Sequence, residues 1–307
     1  MLQADGMIRA VLVTGASGQL GIELGRACWP EGLVPVTMTR TQLNLDDPKA
    51  ITGLVAGGHE SSPFAAVINA ATYTAVDKAE SEQTAAWRAN ALAPAAFGQA
   101  CVAMGVPLIQ VSTDYVFPGD RGGAWEVGDA TDPINVYGAS KLGGELAVRA
   151  SGARHAIVRT AWVVSAHGHN FVKTMLRVGA EHETLSVVAD QRGSPTAASD
   201  LAAALVTITA RMASDPASPS GTYHFSNAGA TDWAGFASEV FRQSAARGGP
   251  SAQVIPITTA DYPTPARRPA NSLLSHRAIE ADYGIAPRPW TEALSDILDE
   301  LIGEPTP

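Results

Sequence analysis

The chain of 307 residues holds only two cysteines, Cys28 and Cys101, far apart and outside any CxxC spacing. This excludes a disulfide framework and a cysteine-based zinc site, and both thiols are expected to be buried apolar side chains in a reducing compartment. Basic charge is also scarce. Lys and Arg number 21 against 30 Asp and Glu, a net charge of -9 with no Lys/Arg block. Binding nucleic acid requires basic surface to neutralise phosphates, so that partner class is excluded. No apolar stretch approaches the roughly 20 residues needed to span a bilayer, and residues 1–10 lack the charged start and apolar middle of a signal peptide. A cytoplasmic protein without a membrane partner is expected, with residues 1–6 as a loose extension and the start at Met1 or Met7.

What is present suits a soluble globular protein: 46% hydrophobic and 17% charged residues, enough for one large domain or two smaller ones. An apolar, β-branched run at residues 8–14 leads into TGASGQLG and then into the helical spacing of LGIELGRACW. Further apolar runs at 34–38, 65–69, 106–111 and 155–160 alternate with helical patterns at 48–56, 82–104 and 137–150. Such alternation implies an α/β fold, a doubly wound parallel sheet covered on both faces, with right-handed crossovers. Beyond residue 160 the pattern loosens. Helical stretches at 170–177 and 199–212 lie among Pro- and Gly-rich pieces, and YPTPARRP at 262–269 cannot be regular structure. Residues 7–160, with return segments near 187–212, are expected to form a dinucleotide-binding domain. Residues 161–307 should form mainly a smaller α/β lobe over the sheet edge where doubly wound folds bind ligands.

Gly15, Gly18 and Gly21 give G-x-x-G-x-x-G. Glycines there permit a tight turn and close backbone approach, so the following helix offers free N–H groups to a pyrophosphate. The end of the second strand, TMTRT at 37–41, carries no carboxylate to hold the ribose of NAD. Arg40, with Thr39 beside it, suits the 2′-phosphate of NADP, so NADPH is expected and NADH is the alternative.

Tyr137 and Lys141 stand four apart in VYGASKLGGE. On a helix they share a face, and an ammonium beside a phenol lowers its pKa toward neutrality. The pair alone also fits an amphipathic helix with a snorkelling lysine. Preceded by the glycine loop and by Ser112 and Thr113 at the end of an apolar run, it defines a redox site.

The segments NAATYTAVDKAES (69–81), VSTDYVFPGD (111–120), VYGASKLGGE, RTAWVVS (159–165), NFVKTMLR (170–177), DQRGSPT (190–196) and YPTPARRPANSLL closely resemble the dTDP-4-dehydrorhamnose reductases, a branch of the extended short-chain dehydrogenase/reductases. The likeness runs from Gly15 nearly to the C-terminus, and AVDKAE, STDYVFPG and YPTPARRP are its most specific parts. It implies a Rossmann-type sheet and reduction of the C4 ketone of dTDP-4-dehydro-β-L-rhamnose by NAD(P)H, serving a cell-surface polysaccharide. The catalytic residues would be Thr113, Tyr137 and Lys141. Cofactor contacts would fall on Ser17, Gly18, Gln19, Leu20, Asn44, Leu45, Ala71, Thr72 and Tyr73. Substrate contacts would fall on Thr113, Asp114 and Trp162, although Trp162 equally suits core packing. For the substrate pyrophosphate, Arg267 or Arg268 are the candidates.

Two departures stand out. Asn44 replaces a common Asp. Some members also bind Mg²⁺ through a glutamate cluster at a dimer interface; Glu23 and Glu300 match two positions, but the third falls on Ser199. No structural metal is expected, because losing a carboxylate weakens a hard-cation site. His167 and His169 read as a flexible loop, and a homodimer is left open. Two other readings remain: a nucleotide-sugar epimerase or dehydratase recycling bound NAD⁺, and a non-catalytic regulatory subunit of this fold. Tyr115 after Asp114, rather than a second carboxylate, speaks against a dehydratase, and the intact Thr113/Tyr137/Lys141 set against a regulatory subunit.

Overall fold

A computed structural model describes residues 8–305, so the choice between Met1 and Met7 lies outside the described residues. Strand β1 (Arg9–Thr14) buries Val11 and Val13 on one face and Ala10 and Leu12 on the other. A strand buried on both faces needs a helical layer on each side. β1 lies between β2 (Leu33–Met38) and β3 (Ala66–Asn69); β4 (Leu108–Thr113) and β5 (His155–Thr160) follow, then a sixth strand, Gly221–His224. Every pairing is parallel. The strand order reverses between β1 and β3, which opens a crevice outside their carboxyl ends.

On one face the Gln19–Arg26 and Ala198–Ser214 helices pack Leu24, Leu201, Leu205 and Ile208 against Val11, Val13, Val111 and Val158. On the other, the Pro48–Gly57, Ala93–Met104 and Val136–Ser151 helices set Ile51, Val55, Phe97 and Val148 against Leu12, Val67, Leu108 and Ile157. Cys101 lies in this second layer, where burial pushes its thiol up to about 12. Cys28, expected inside, is exposed, because the preceding helix ends at Arg26 and the chain leaves the layer there.

The helical pattern at 82–104 is interrupted. A short helix, Gln83–Trp87, runs into a π-helical turn, Arg88–Leu92, before Ala93–Met104. Pro94 has no N–H to return to the Asn90 carbonyl, so the regular ladder cannot pass through it. The smaller layer pairs Thr184–Val188 with Gln253–Ile257, in parallel. Helices Phe171–Gly179, Trp233–Ala245 and Trp290–Leu301 enclose Phe236, Val240, Leu294 and Leu298. Residues 262–269 form no regular element.

A buried charge network joins the sheet to the Val136–Ser151 helix. Glu145, wholly buried, accepts from Arg159 through Nε (2.9 Å) and Nη2 (2.8 Å), from Ser112 Oγ (2.6 Å) and from Arg149 (2.8 Å). Burial alone would push the Glu145 carboxyl up, but these donors hold it below its ordinary range. Removing one partner of such a pair strands the other charge in low dielectric. Arg159→Met should therefore destabilise the fold by ~3 kcal/mol or more, read as a lower urea midpoint. The double change with Glu145→Leu should recover most of that loss.

Candidate active site

The crevice is a cleft of about 920 Å³ between the carboxyl edge of the sheet and the smaller layer. Gly15 opens it with φ +82°, a backbone L side chains rarely adopt, and at Gly21 a Cβ would collide with the Gly15 carbonyl. The Gln19–Arg26 helix starts at Gly18 with no side-chain cap, leaving its first N–H groups to face the cleft. Gly15, Ser17, Gly18, Gln19, Leu20 and Gly21 line this wall, with Thr39, Arg40, Asn44 and Leu45 beyond β2 and Ala71, Thr72 and Tyr73 beyond β3. Asp46 and Glu82 line the same end and were not anticipated. An uncapped helix N-terminus beside a collapsed glycine turn fits a dinucleotide pyrophosphate.

Thr113, Asp114, Tyr137, Lys141 and Trp162 line the deeper part. Asn135 caps the helix that presents Tyr137 and Lys141, accepting from Gly138 N at 2.7 Å. Lys141 is 3% exposed and donates to the Val111 carbonyl (2.7 Å) and Thr72 Oγ1 (3.2 Å). Burial lowers its pKa to about 8, and Glu145 one turn on opposes that shift. The expected acidification of the phenol does not occur. Burial pushes the Tyr137 hydroxyl above its ordinary value; the facing Thr113 hydroxyl pulls it down, and Asp114 adds to the rise. Desolvation outweighs neighbouring charge here, so the Tyr137 hydroxyl is protonated at neutral pH.

Asp114 is 3% exposed. One of its oxygens accepts from Thr113 Oγ1 at 2.8 Å. Burial pushes this carboxyl up to about 6, against the downward pull of the Ser272 and Thr113 hydroxyls. Trp162 holds a left-handed φ of +48°, a strained state for a bulky side chain. Its ring stacks on Trp233, centroids 3.7 Å apart, and a Cβ at Gly193 would strike it. Trp233 also lines the cleft and was missed, since its partner stands 71 positions away.

Asn90 was missed too. Its Oδ1 accepts from Thr72 Oγ1 (2.6 Å) and Tyr73 N (2.8 Å), and its Nδ2 donates to Tyr73 O (3.1 Å) and Ser140 Oγ (3.0 Å). A buried amide inside an apolar helical run was the available signal. Arg267 is not among the cleft-lining residues. Its side chain is exposed while its carbonyl accepts from Asn135, and the neighbouring Arg268 is bound to Asp77.

Glu23, His167 and Glu300 bring ligand atoms within 4.8 Å of one another. His167 lies in a loop, as read from the sequence, and the contact joins three segments distant in the chain. Arg26 contacts His167 and pairs with Glu300 at 2.8 Å, and Ser199 is exposed. An imidazole for the third carboxylate, with a guanidinium already on the cluster, does not fit Mg²⁺, which demands octahedral oxygen ligands.

The family model described as the RmlD substrate binding domain matches residues 9–302. The dTDP-4-dehydrorhamnose reductase of Sinorhizobium fredii is 41% identical over 95% of this chain and 97% of its own length. That of Burkholderia thailandensis is 40% identical, over 96% and 99%. Among solved structures, dTDP-4-dehydrorhamnose reductase from Bacillus anthracis in complex with NADP superposes with a TM-score of 0.88 at 34% identity, covering 96% of this chain and all of that one. A UDP-glucose 4-epimerase from Thermus thermophilus shares the fold, with a TM-score of 0.75 at 19% identity over 96% of this chain and 99% of that one.

Asp114 gives a pH test. Its folded pKa of about 6 lies above the ordinary 3.8, so the folded state favours the protonated acid. That stability is fully present below about pH 4 and lost as pH rises through 6, up to ~3 kcal/mol. Asp114→Asn should raise the melting temperature near pH 8 and leave it unchanged near pH 4, in thermal unfolding scans.

Proposed function

This chain belongs to the family of dTDP-4-dehydrorhamnose reductases, and from that premise we propose that it reduces dTDP-4-dehydro-β-L-rhamnose to dTDP-L-rhamnose with Tyr137 as the proton donor. The observation that carries the reading is the convergence of Thr113, Tyr137 and Lys141 on the cleft that the glycine loop opens. A nicotinamide cofactor held along the glycine loop, Thr72 and Lys141 would supply the hydride for C4. The ketone oxygen then carries growing negative charge, and groups that bind an alkoxide better than a ketone lower the barrier.

Tyr137 meets that charge in its protonated form, which its burial favours. Giving up the proton leaves a phenolate, and Lys141, four residues on and still cationic at neutral pH, stabilises it. Thr113 donates to the same oxygen by turning its hydroxyl from Asp114. Asp114 and the Trp162–Trp233 stack wall the sugar side. Arg267, exposed in the 262–269 segment and outside an ion pair among the described residues, is the candidate for the diphosphate although it does not line the cleft. The sheet and its helices hold the cofactor, while the smaller layer closes over the nucleotide sugar. Arg40, exposed at the end of β2, favours NADPH over NADH. No structural Mg²⁺ is assigned. Among the described residues no helix is long and apolar enough to cross a membrane.

NADPH oxidation dependent on added keto-sugar tests the reading; tightly retained NAD⁺ with no such oxidation would point to an epimerase. Tyr137→Phe should lower kcat by about 10²–10⁴-fold, the scale of a general acid, with NADPH binding retained in a fluorescence titration. Arg40→Ala should raise KM for NADPH several-fold and leave KM for NADH unchanged; equal effects on both would remove Arg40 from 2′-phosphate recognition.

A further inference from the structure

Three segments far apart in the chain, residues 75–81, 111–120 and 262–269, meet around one feature: the first turn of the Val136–Ser151 helix. That turn carries Tyr137. A helix start leaves four N–H groups without intrahelical partners, and two of them here are satisfied by side chains. Glu80 Oε1 accepts from Val136 N at 2.9 Å, and Asn135 Oδ1 accepts from Gly138 N at 2.7 Å. Tyr115 closes a third side. Its ring stands edge-on to Tyr137 with centroids 5.7 Å apart, and its carbonyl sits where a Cβ on Gly138 would be.

The capping Asn135 is itself held. Its Nδ2 donates to the Arg267 carbonyl at 2.8 Å, so the 262–269 strap rests on the cap. The strap in turn is fastened by one carboxylate. Asp77 accepts from Ala266 N (3.1 Å) and takes both Arg268 Nη1 (3.0 Å) and Nη2 (2.8 Å). Arg268 also donates to Thr264 Oγ1 (2.6 Å) and the Ala266 carbonyl (3.1 Å), which cross-links the strap internally. The path from Asp77 to the phenol is therefore continuous: Asp77, Arg268 and Ala266, the Arg267 carbonyl, Asn135, and the first turn.

We infer that Asp77 and Arg268 are positioning residues for Tyr137, holding the strap against the helix cap so that the phenol keeps its place in the cleft. This rests on the reductase reading of the site. Partly exposed ion pairs contribute little to global stability, so a purely structural account predicts little effect of losing this one. A catalytic group displaced by about an ångström, in contrast, can lose up to ~10²-fold in rate. The consequence belongs in kcat.

Asp77→Ala, Arg268→Ala, Arg268→Lys and the double alanine variant test it. Expected are a roughly ten- to hundredfold fall in kcat for each alanine variant and a smaller fall for Arg268→Lys, with NADPH affinity and melting temperature nearly unchanged. The double variant should be no worse than either single, because both residues act through one link. Unchanged kcat, losses that multiply in the double variant, or losses that track melting temperature or NADPH affinity would each overturn the inference. Amide hydrogen exchange of Val136–Ala139 gives a readout independent of turnover. It should accelerate at least tenfold in Asp77→Ala while the Ala198–Ser214 helix is unaffected. If the wild-type protein fails to reduce the keto-sugar, the functional reading falls and this exchange decides the positioning role alone, unaltered exchange overturning it.

Discussion

The site depends on keeping an ammonium charged where little water reaches it. Lys141 is nearly fully buried, and desolvation lowers its pKa to about 8. The opposing charge is Glu145, one helical turn on, which is itself buried and depends on Arg159, Ser112 and Arg149. Arg159 then lies 4.9 Å over the Phe117 ring and beside His224, whose pKa burial lowers to about 3, so that it stays neutral. One stripe of the helix thus carries phenol, ammonium and carboxylate at 137, 141 and 145. Three consecutive residues of β4 answer them: the Val111 carbonyl binds Lys141, Ser112 binds Glu145 and Thr113 faces Tyr137. Tyr137 is seated on electrostatics that reach into the core.

The same economy governs the two sides of the cleft. Gln19 belongs to the glycine loop, yet its side chain accepts from Ser165 Oγ and Asn170 Nδ2, each at 2.9 Å. The loop it grips ends in Gly168 and His169, which line the cleft. Beneath the opening, Thr14, Asn69 and Gln110 form a buried ladder across β1, β3 and β4, with Thr14 Oγ1 also accepting from Ala71 N. Polar side chains buried and fully bonded fix one arrangement, because any shift leaves a group unpaired. The width of the cleft is set by such bonds as much as by packing.

How much of this was legible in the sequence follows from range. β1, the glycine loop and its helix were readable because their signals lie within a dozen residues. So were β2 to β5, whose strands centre on short apolar stretches. The sixth strand, GTYH, has four residues and no run, and exists because β5 offers an open edge. Asn90, Trp233 and Asp77 gain their roles from partners that local pattern cannot reach. The pKa of Tyr137 was misjudged for a related reason. The spacing to Lys141 reveals a neighbouring charge but is silent on desolvation, which depends on everything packed around the ring. Cys28 shows the converse, an apolar side chain whose helix stops too soon to bury it.

The cluster of Glu23, His167, Glu300 and Arg26 brings these strands of argument together. Matching glutamates along the chain placed a third carboxylate at Ser199 and found a gap. In three dimensions His167 joins the two glutamates instead, 3.2 Å from Glu23, and Arg26 supplies the positive charge. The guanidinium comes from the last turn of the glycine-loop helix, Glu300 from the final helix and His167 from the cleft-lining loop that Gln19 grips. A cation built into the chain carries its own tether, so its attraction for both carboxylates needs no ion from solution. Two carboxylates shared with an imidazole and a guanidinium also do not offer the oxygen ligands that suit Mg²⁺. The contact between the Gln19–Arg26 helix and the smaller layer is therefore made within one chain, by charges whose strength falls with ionic strength because they lie near the surface.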